Sequence, residues 1–277
     1  MPTQSKERGA GRRLVRRILA VFAHPDDETF LAGGTPAKYA AAGWDVFLLC
    51  ATHGEAGRRG EYSHLTQGQF ARLRQQELEA AAHALGIRRS LFLDGADQQL
   101  ARDCWASAAQ EIIRAIRRIR PEVVITFGPD GISGHPDHVA LSQIVTTAFW
   151  TADLTSVLPA ESSEFPPFAP SRLYYVLRSA SVPRCCEAKG SLEAPPLTTV
   201  IDIREYSVRK LEGIRSYQSQ KHLQSEDLSI VERILNTPEN FHRAVPAWQG
   251  PAVERDLYPQ SDSTLPPSGA AQSVSKR

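Results

Sequence analysis

The sequence predicts an α/β fold, a largely parallel β-sheet with helices on both faces. Two observations lead there. Short apolar runs rich in β-branched residues alternate with amphipathic stretches of helical length through the first half of the chain. Such units close as right-handed βαβ crossovers, which set neighbouring strands parallel. In addition, 277 residues of which 42% are hydrophobic supply enough apolar material for one sizeable core.

Taken in order, residues 17–23 (RILAVFA) read as a buried strand and 35–42 as a helix ended by Gly43. Residues 45–51 (DVFLLCA) are a second strand. The Gly- and Arg-rich segment 53–66 that follows is longer than most βα connections, which points to function. A helix over 69–85 carries Phe70, Leu73, Leu78, Ala81 and Leu85 on one side and stops at Gly86. Strands at 90–93 and 122–127 enclose a helix at 105–119, and another helix starts near Pro136. Residues 153–170 are Pro- and Ser-rich, as expected of an excursion over the surface. Strands at 173–177 and 198–203 and a helix at 205–220 complete a single domain spanning 15–258. Residues 1–14 form a basic tail, and the aperiodic Pro, Ser, Gln and Ala composition of 259–277 predicts a disordered one.

Lys+Arg 32 against Asp+Glu 31 leaves a net charge of +1, too little field to wrap a nucleic acid or lie on an anionic membrane. Residues 1–18 hold +5 of it, so the remainder is mildly acidic at −4. No run of 18 apolar residues exists; the longest uncharged candidate, 139–152, contains Ser142, Gln143 and several Thr. The 4 Cys lack C-x-x-C spacing. Reduced thiols, a cytoplasmic setting, no stable membrane insertion and no nucleic-acid partner are therefore expected. Residues 173–203 could serve an interface between copies of the chain.

One string occurs twice, His24-Pro25-Asp26-Asp27 after the first strand and His135-Pro136-Asp137-His138 after the fourth. With 8 His, 19 Pro and 13 Asp, roughly 0.03 H-P-D tripeptides are expected by chance. Starting a helix would explain Pro25 and Pro136, and Asp26 and Asp137 tolerably. It does not explain His24, Asp27, His135 and His138, metal-ligand types spaced three apart so that each pair can face one way. Both strings sit at carboxyl ends of strands, where open parallel sheets bind ligands. His and carboxylate donors without thiolate suit catalytic Zn²⁺, with three protein ligands and an open position for water. Four residues compete for those three places, and Asp26, facing away from the His24–Asp27 side, is the better candidate for a general base.

AHPDDE followed by GHPDH resembles the LmbE-like, or PIG-L, family of zinc-dependent de-N-acetylases. The resemblance covers about residues 17–222 and includes THGEAG, RQQELEAAAHALGI, LFLDG, FGPDGISGHPDH and KLEGIRSYQSQ. It implies a Rossmann-like, LmbE-like fold and hydrolysis of the acetamide of an N-acetylglucosamine-type sugar. It also implies one zinc per chain on His24, Asp27 and His138, with Asp26 as base. His135 would stabilise the oxyanion or protonate the leaving amine, oriented by Asp137, and Arg74 and Asp94 would bind substrate. Two departures stand out: Ser133 replaces a tyrosine used by some relatives, and Tyr217-Gln218-Ser219-Gln220 replaces their H-x-S-Q.

Rival expectations are a zinc amidase acting on a thiol-conjugated or lipid-linked glucosamine, and a non-catalytic α/β protein that binds a metabolite or nucleotide. The last would require a Gly-rich phosphate turn after the first strand, where His24-Pro25-Asp26-Asp27 stands instead.

Overall fold

The computed structural model describes residues 15–102, 105–161, 164–178, 193–223, 232, 234, 236 and 237–259. Seven strands, β1 (Arg17–Phe22), β2 (Asp45–Thr52), β3 (Arg89–Gly95), β4 (Val123–Phe127), β5 (Arg172–Leu177), β6 (Thr199–Ile201) and β7 (Glu239–Val245), form one sheet ordered β3-β2-β1-β4-β5-β7-β6. The first five are mutually parallel, while β7 runs antiparallel to both β5 and β6. Every residue of β4 is buried, and every residue of β1 except Arg17, as befits strands covered on both faces. The edge strand β3 is mostly half-buried.

Helices α1 (Asp27–Ala32), α2 (Gly34–Ala41), α3 (Gln67–Ala84) and α7 (Ser207–Ser216) pack together as one layer. Helices α4 (Trp105–Ile119) and α6 (Pro136–Thr151) form the other, with the short α5 (Gly131–Gly134) leading into α6. A capping box opens α3: the Gln69 amide donates to Thr66 Oγ1 (3.3 Å) and the Thr66 amide to Gln69 Oε1 (2.8 Å). From β1 the chain winds outward through β2 to β3, and from β4 it winds the other way to β5. The order thus reverses between β1 and β4, which opens a crevice at their carboxyl ends. Both H-P-D strings lie there.

Four expectations are corrected. The predicted helix at 205–220 ends at Ser216, because Tyr217 (φ −84°, ψ 69°) leaves helical geometry and sends its side chain inward to Glu28; a 3₁₀ turn, Gln218–Leu223, follows. Strand β7 is absent from the predicted elements, since its buried face carries Glu239, Phe241 and Arg243 and shows no hydrophobic alternation. Glu239 accepts from the Gly34 and Thr35 amides (2.8 and 2.7 Å) and from Lys210 Nζ (2.7 Å), and Arg243 pairs with Glu254 (2.8 Å). Helix α1 is likewise absent from the predicted elements, which hold no helix before 35–42; it begins at Asp27, two residues beyond Pro25. Finally, β5 is interior to the sheet, between β4 and β7, so the first part of the 173–203 segment is not free for an interface.

The tail 1–14, residues 260–277, Cys104, Cys185 and Cys186 lie outside the described residues. Cys50 is a free, buried thiol. Among the described residues, no helix is long and apolar enough to cross a membrane.

Candidate active site

After β1 the chain turns sharply at Asp26, whose φ of 119° and ψ of −32° are foreign to a residue with a Cβ. Such a conformation costs on the order of 1–3 kcal/mol and persists where surrounding contacts impose it. Here the Asp26 amide donates to Glu28 Oε2 (3.1 Å), and Glu28 in turn accepts from Tyr217 Oη (2.5 Å) and Thr29 Oγ1 (2.5 Å). The second string is relaxed by comparison. His135 (φ −60°, ψ 127°) caps α6, Pro136 takes its first turn, and the Asp137 amide donates to His135 Nδ1 (3.2 Å).

Across the crevice the strings converge. His24 Nδ1, Asp27 Oδ2 and His138 Nε2 form a triangle with edges of 3.4, 3.4 and 3.3 Å. The far nitrogens assign the tautomers. His138 Nδ1 faces the Gly131 carbonyl (3.1 Å), so it carries a proton and leaves Nε2 with a lone pair. His24 Nε2 faces Asp97 Oδ1 (3.0 Å) and Asp137 Oδ2 (3.2 Å), so it too carries a proton and leaves Nδ1 as a donor atom. Once the second proton of His24 is displaced from Nδ1, three electron-rich atoms meet. A tetrahedral ion with ligands at about 2.0–2.1 Å separates them by about 3.3–3.4 Å, the size of this triangle. His24, Asp27 and His138 therefore fit a metal ion.

The family model of PIG-L, GlcNAc-PI de-N-acetylase, matches residues 19–149. A 1D-myo-inositol 2-acetamido-2-deoxy-alpha-D-glucopyranoside deacetylase of Rhodococcus opacus (strain B4) is 35% identical over 246 residues, covering 74% of this chain and 82% of the relative. The chain belongs to the PIG-L family. Its members named above are deacetylases, and it is accordingly a hydrolase of amide bonds. Two solved structures share the fold. N,N'-diacetylchitobiose deacetylase from Pyrococcus horikoshii has a TM-score of 0.64 at 21% identity, with 82% of this chain and 83% of that chain covered. GalB, the 4-carboxy-2-hydroxymuconate hydratase of Pseudomonas putida KT2440, has a TM-score of 0.69 at 20% identity, with 86% and 100% covered.

Electrostatics separate the roles of the adjacent carboxylates in this PIG-L protein. Burial disfavours the Asp27 anion, but His138 and His24 outweigh it and hold Asp27 below the usual carboxylate range. Burial pushes Asp26 up to about 7, even though Arg74 opposes the rise. Burial also opposes charge on His24, yet Asp137, Asp27 and Asp97 together raise it well above an ordinary histidine. A cation at the triangle would compete with that proton.

Arg74, expected at the substrate, is only 3% exposed and lies behind Asp26. Its Nη2 donates to Asp26 Oδ2 (2.8 Å) and to the Pro25 carbonyl, and its Nη1 to the Gly54 carbonyl (3.1 Å). Gly54 is required twice over. Its φ is 65°, and a Cβ there would fall 2.2 Å from Arg74 Nη1. Asp94 stands on the rim, its side chain 85% exposed and its Oδ1 2.9 Å from His53 Nε2. Burial, then the charges of His138 and His24, lower His135, while Asp137 opposes. The Asp137 carboxylate itself turns toward His24 and accepts the Gln98 (2.7 Å) and Leu100 (3.2 Å) amides, so it is the Asp137 backbone that contacts the His135 ring.

No motif marks Asp97; Glu28 stands in AHPDDE and Tyr217 in YQSQ, but nothing in the sequence announces that these two side chains meet. The available signal for Asp97 is its place just beyond the end of β3, on the same rim as both strings, where Asp94 draws attention instead.

Proposed function

We propose that the chain uses a zinc ion held by His24, Asp27 and His138 to remove the acetyl group from an N-acetylglucosamine unit linked to a polyol of the myo-inositol type, with Asp26 as general base. The observation that carries this reading is the triangle of two imidazole nitrogens and one carboxylate oxygen at 3.3–3.4 Å. The substrate class rests on the named activity of the Rhodococcus opacus relative.

At these donors the ion supplies Lewis acidity, which polarises the acetyl carbonyl and makes a water molecule easier to deprotonate. Asp26 accepts the proton of the attacking water. With its carboxyl near 7, it is matched to base chemistry close to neutral pH. Arg74 clamps the Asp26 carboxylate, and the Glu28–Tyr217 contact holds its backbone turn. His135 Nδ1 accepts the Asp137 amide, which leaves a neutral ring with its proton on Nε2. That N–H is suited to steady the carbonyl oxygen as it gains charge. The C–N bond then breaks, the proton taken by Asp26 passes to the departing amine, and acetate and the free amino sugar are released.

The test combines metal analysis of purified protein with amine release from GlcNAc-inositol, free N-acetylglucosamine and N,N'-diacetylchitobiose, with and without chelator. Stoichiometric zinc and chelator-sensitive release, highest with GlcNAc-inositol, are expected. Release that survives complete metal removal would overturn the mechanism. Preference for another acetamide would overturn only the substrate.

A further inference from the structure

We infer that Asp97 is the positioning residue of the metal triad: its carboxylate holds the His24 ring with Nδ1 turned toward Asp27 and His138. This rests on the metal reading above and names a residue outside that donor set. Asp97 Oδ1 lies 3.0 Å from His24 Nε2, the shorter of the two carboxylate contacts to that nitrogen. Asp137, the other, already accepts the Gln98 and Leu100 amides.

Asp97 is buried and has little freedom to swing. Its Oδ2 accepts the Ala56 amide (3.0 Å), and its own amide donates to Glu55 Oε1 (2.8 Å). Its neighbour Gln98 adopts a φ of 67°, a left-handed backbone that a side-chain-bearing residue takes up at some cost, and the Gln98 amide donates to Asp137 Oδ2 (2.7 Å), which ties the segment to the second string. A histidine ligand whose second nitrogen is fixed by a carboxylate has its tautomer and ring orientation set in advance. Without the Asp97 carboxylate, His24 Nε2 keeps only the longer Asp137 contact (3.2 Å), which leaves the imidazole more freedom to turn about its Cβ–Cγ bond and carry Nδ1 out of the triangle.

The experiment measures zinc affinity of the full chain by chelator competition, with the Co²⁺ absorption spectrum as a reporter of ligand geometry and melting of the metal-free protein as a check on folding. Asp97→Asn can still accept the Ala56 amide through its carbonyl oxygen, but it presents an NH₂ group to His24 Nε2. We expect about 10–100-fold weaker zinc binding and an altered Co²⁺ spectrum, with metal-free melting near wild type. Glu55→Ala loosens the same loop without touching His24 and is expected to keep zinc affinity within about twofold. The inference is overturned if Asp97→Asn binds zinc as the wild type does, or if Glu55→Ala loses as much. Should the Asn variant not fold, Asp97→Ala read the same way decides between the same two outcomes. A wild-type protein that binds no metal would instead overturn the reading in the preceding subsection.

Discussion

Residues 24–27 and 135–138 both leave a central strand with His, Pro and Asp, yet Pro136 opens α6 while Pro25 lies ahead of α1 and is followed by a residue at φ 119°. In the second string, helix-start preferences govern: His135 caps, Pro136 enters the first turn, and His138 comes round to the crevice one turn later. In the first, those preferences are overridden. Arg74 and Glu28 hold Asp26 in a turn that puts His24 and Asp27 on one side and the Asp26 carboxylate on another. One tripeptide therefore serves two backbones. The Asp of each string also differs in use, since the Asp26 carboxylate faces Arg74 whereas the Asp137 carboxylate faces His24.

The sharpest way to break this comparison is to truncate both aspartates. Asp26→Ala should lower kcat by about 10²–10⁴-fold with metal content still stoichiometric, as expected for loss of a general base. Asp137→Ala should instead weaken zinc binding by about 10–100-fold, because it removes a partner of a ligand. Equal metal loss in both variants would make Asp26 a ligand. Within the second string, His135→Ala should reduce kcat about 10²–10³-fold at full metal occupancy, while His138→Ala should lose the metal. A His135 variant with wild-type kcat would remove it from the mechanism.

The proton on His24 provides a third test. Its ordinary value is raised by Asp137, Asp27 and Asp97, so a cation must displace a proton at any pH below the raised value. Apparent zinc affinity should then fall about tenfold per pH unit lost, with about one proton released per ion by calorimetry in buffers of different ionisation enthalpy. Gly54→Ala comes next. The new methyl group would meet Arg74, and we expect destabilisation of about 1–3 kcal/mol together with lower kcat, read by melting and kinetics. The smallest effect should be Pro136→Ala, about 0.4–1 kcal/mol of stability with activity retained, because Pro136 only predisposes a helix start. An equally mild Pro25→Ala would remove the distinction between the strings.

The parallel core is legible because β1, β2 and β4 are continuous apolar runs, and the helix at 105–119 because its apolar residues recur at helical spacing. Strand β7 is not, since Glu239 and Arg243 point inward and find partners on α2, α7 and the segment around Glu254 that no local pattern announces. The same limit applies at the site. His24, Asp27, His135 and His138 announce themselves by spacing, and the resemblance to PIG-L proteins suggests roles for them. Asp97 and Glu28 look like ordinary surface acids because their partners, His24 and Tyr217, lie 73 and 189 residues away in the chain.

By itself the sequence determined what local chemistry can determine: that the continuous apolar runs are buried strands, that 105–119 is a helix, and that His and carboxylate donors recur in two strings at strand ends. Only the tertiary structure decided that Arg74 turns its guanidinium to Asp26, that Asp137 serves His24 through its carboxylate and His135 through its backbone, and that two imidazole nitrogens and a carboxylate oxygen meet within 3.4 Å. The reason is physical. Residue spacing governs contacts within a turn or two of backbone, whereas a buried charge takes whatever partner the packing of distant elements brings to it, and that choice is written in no short stretch of chain.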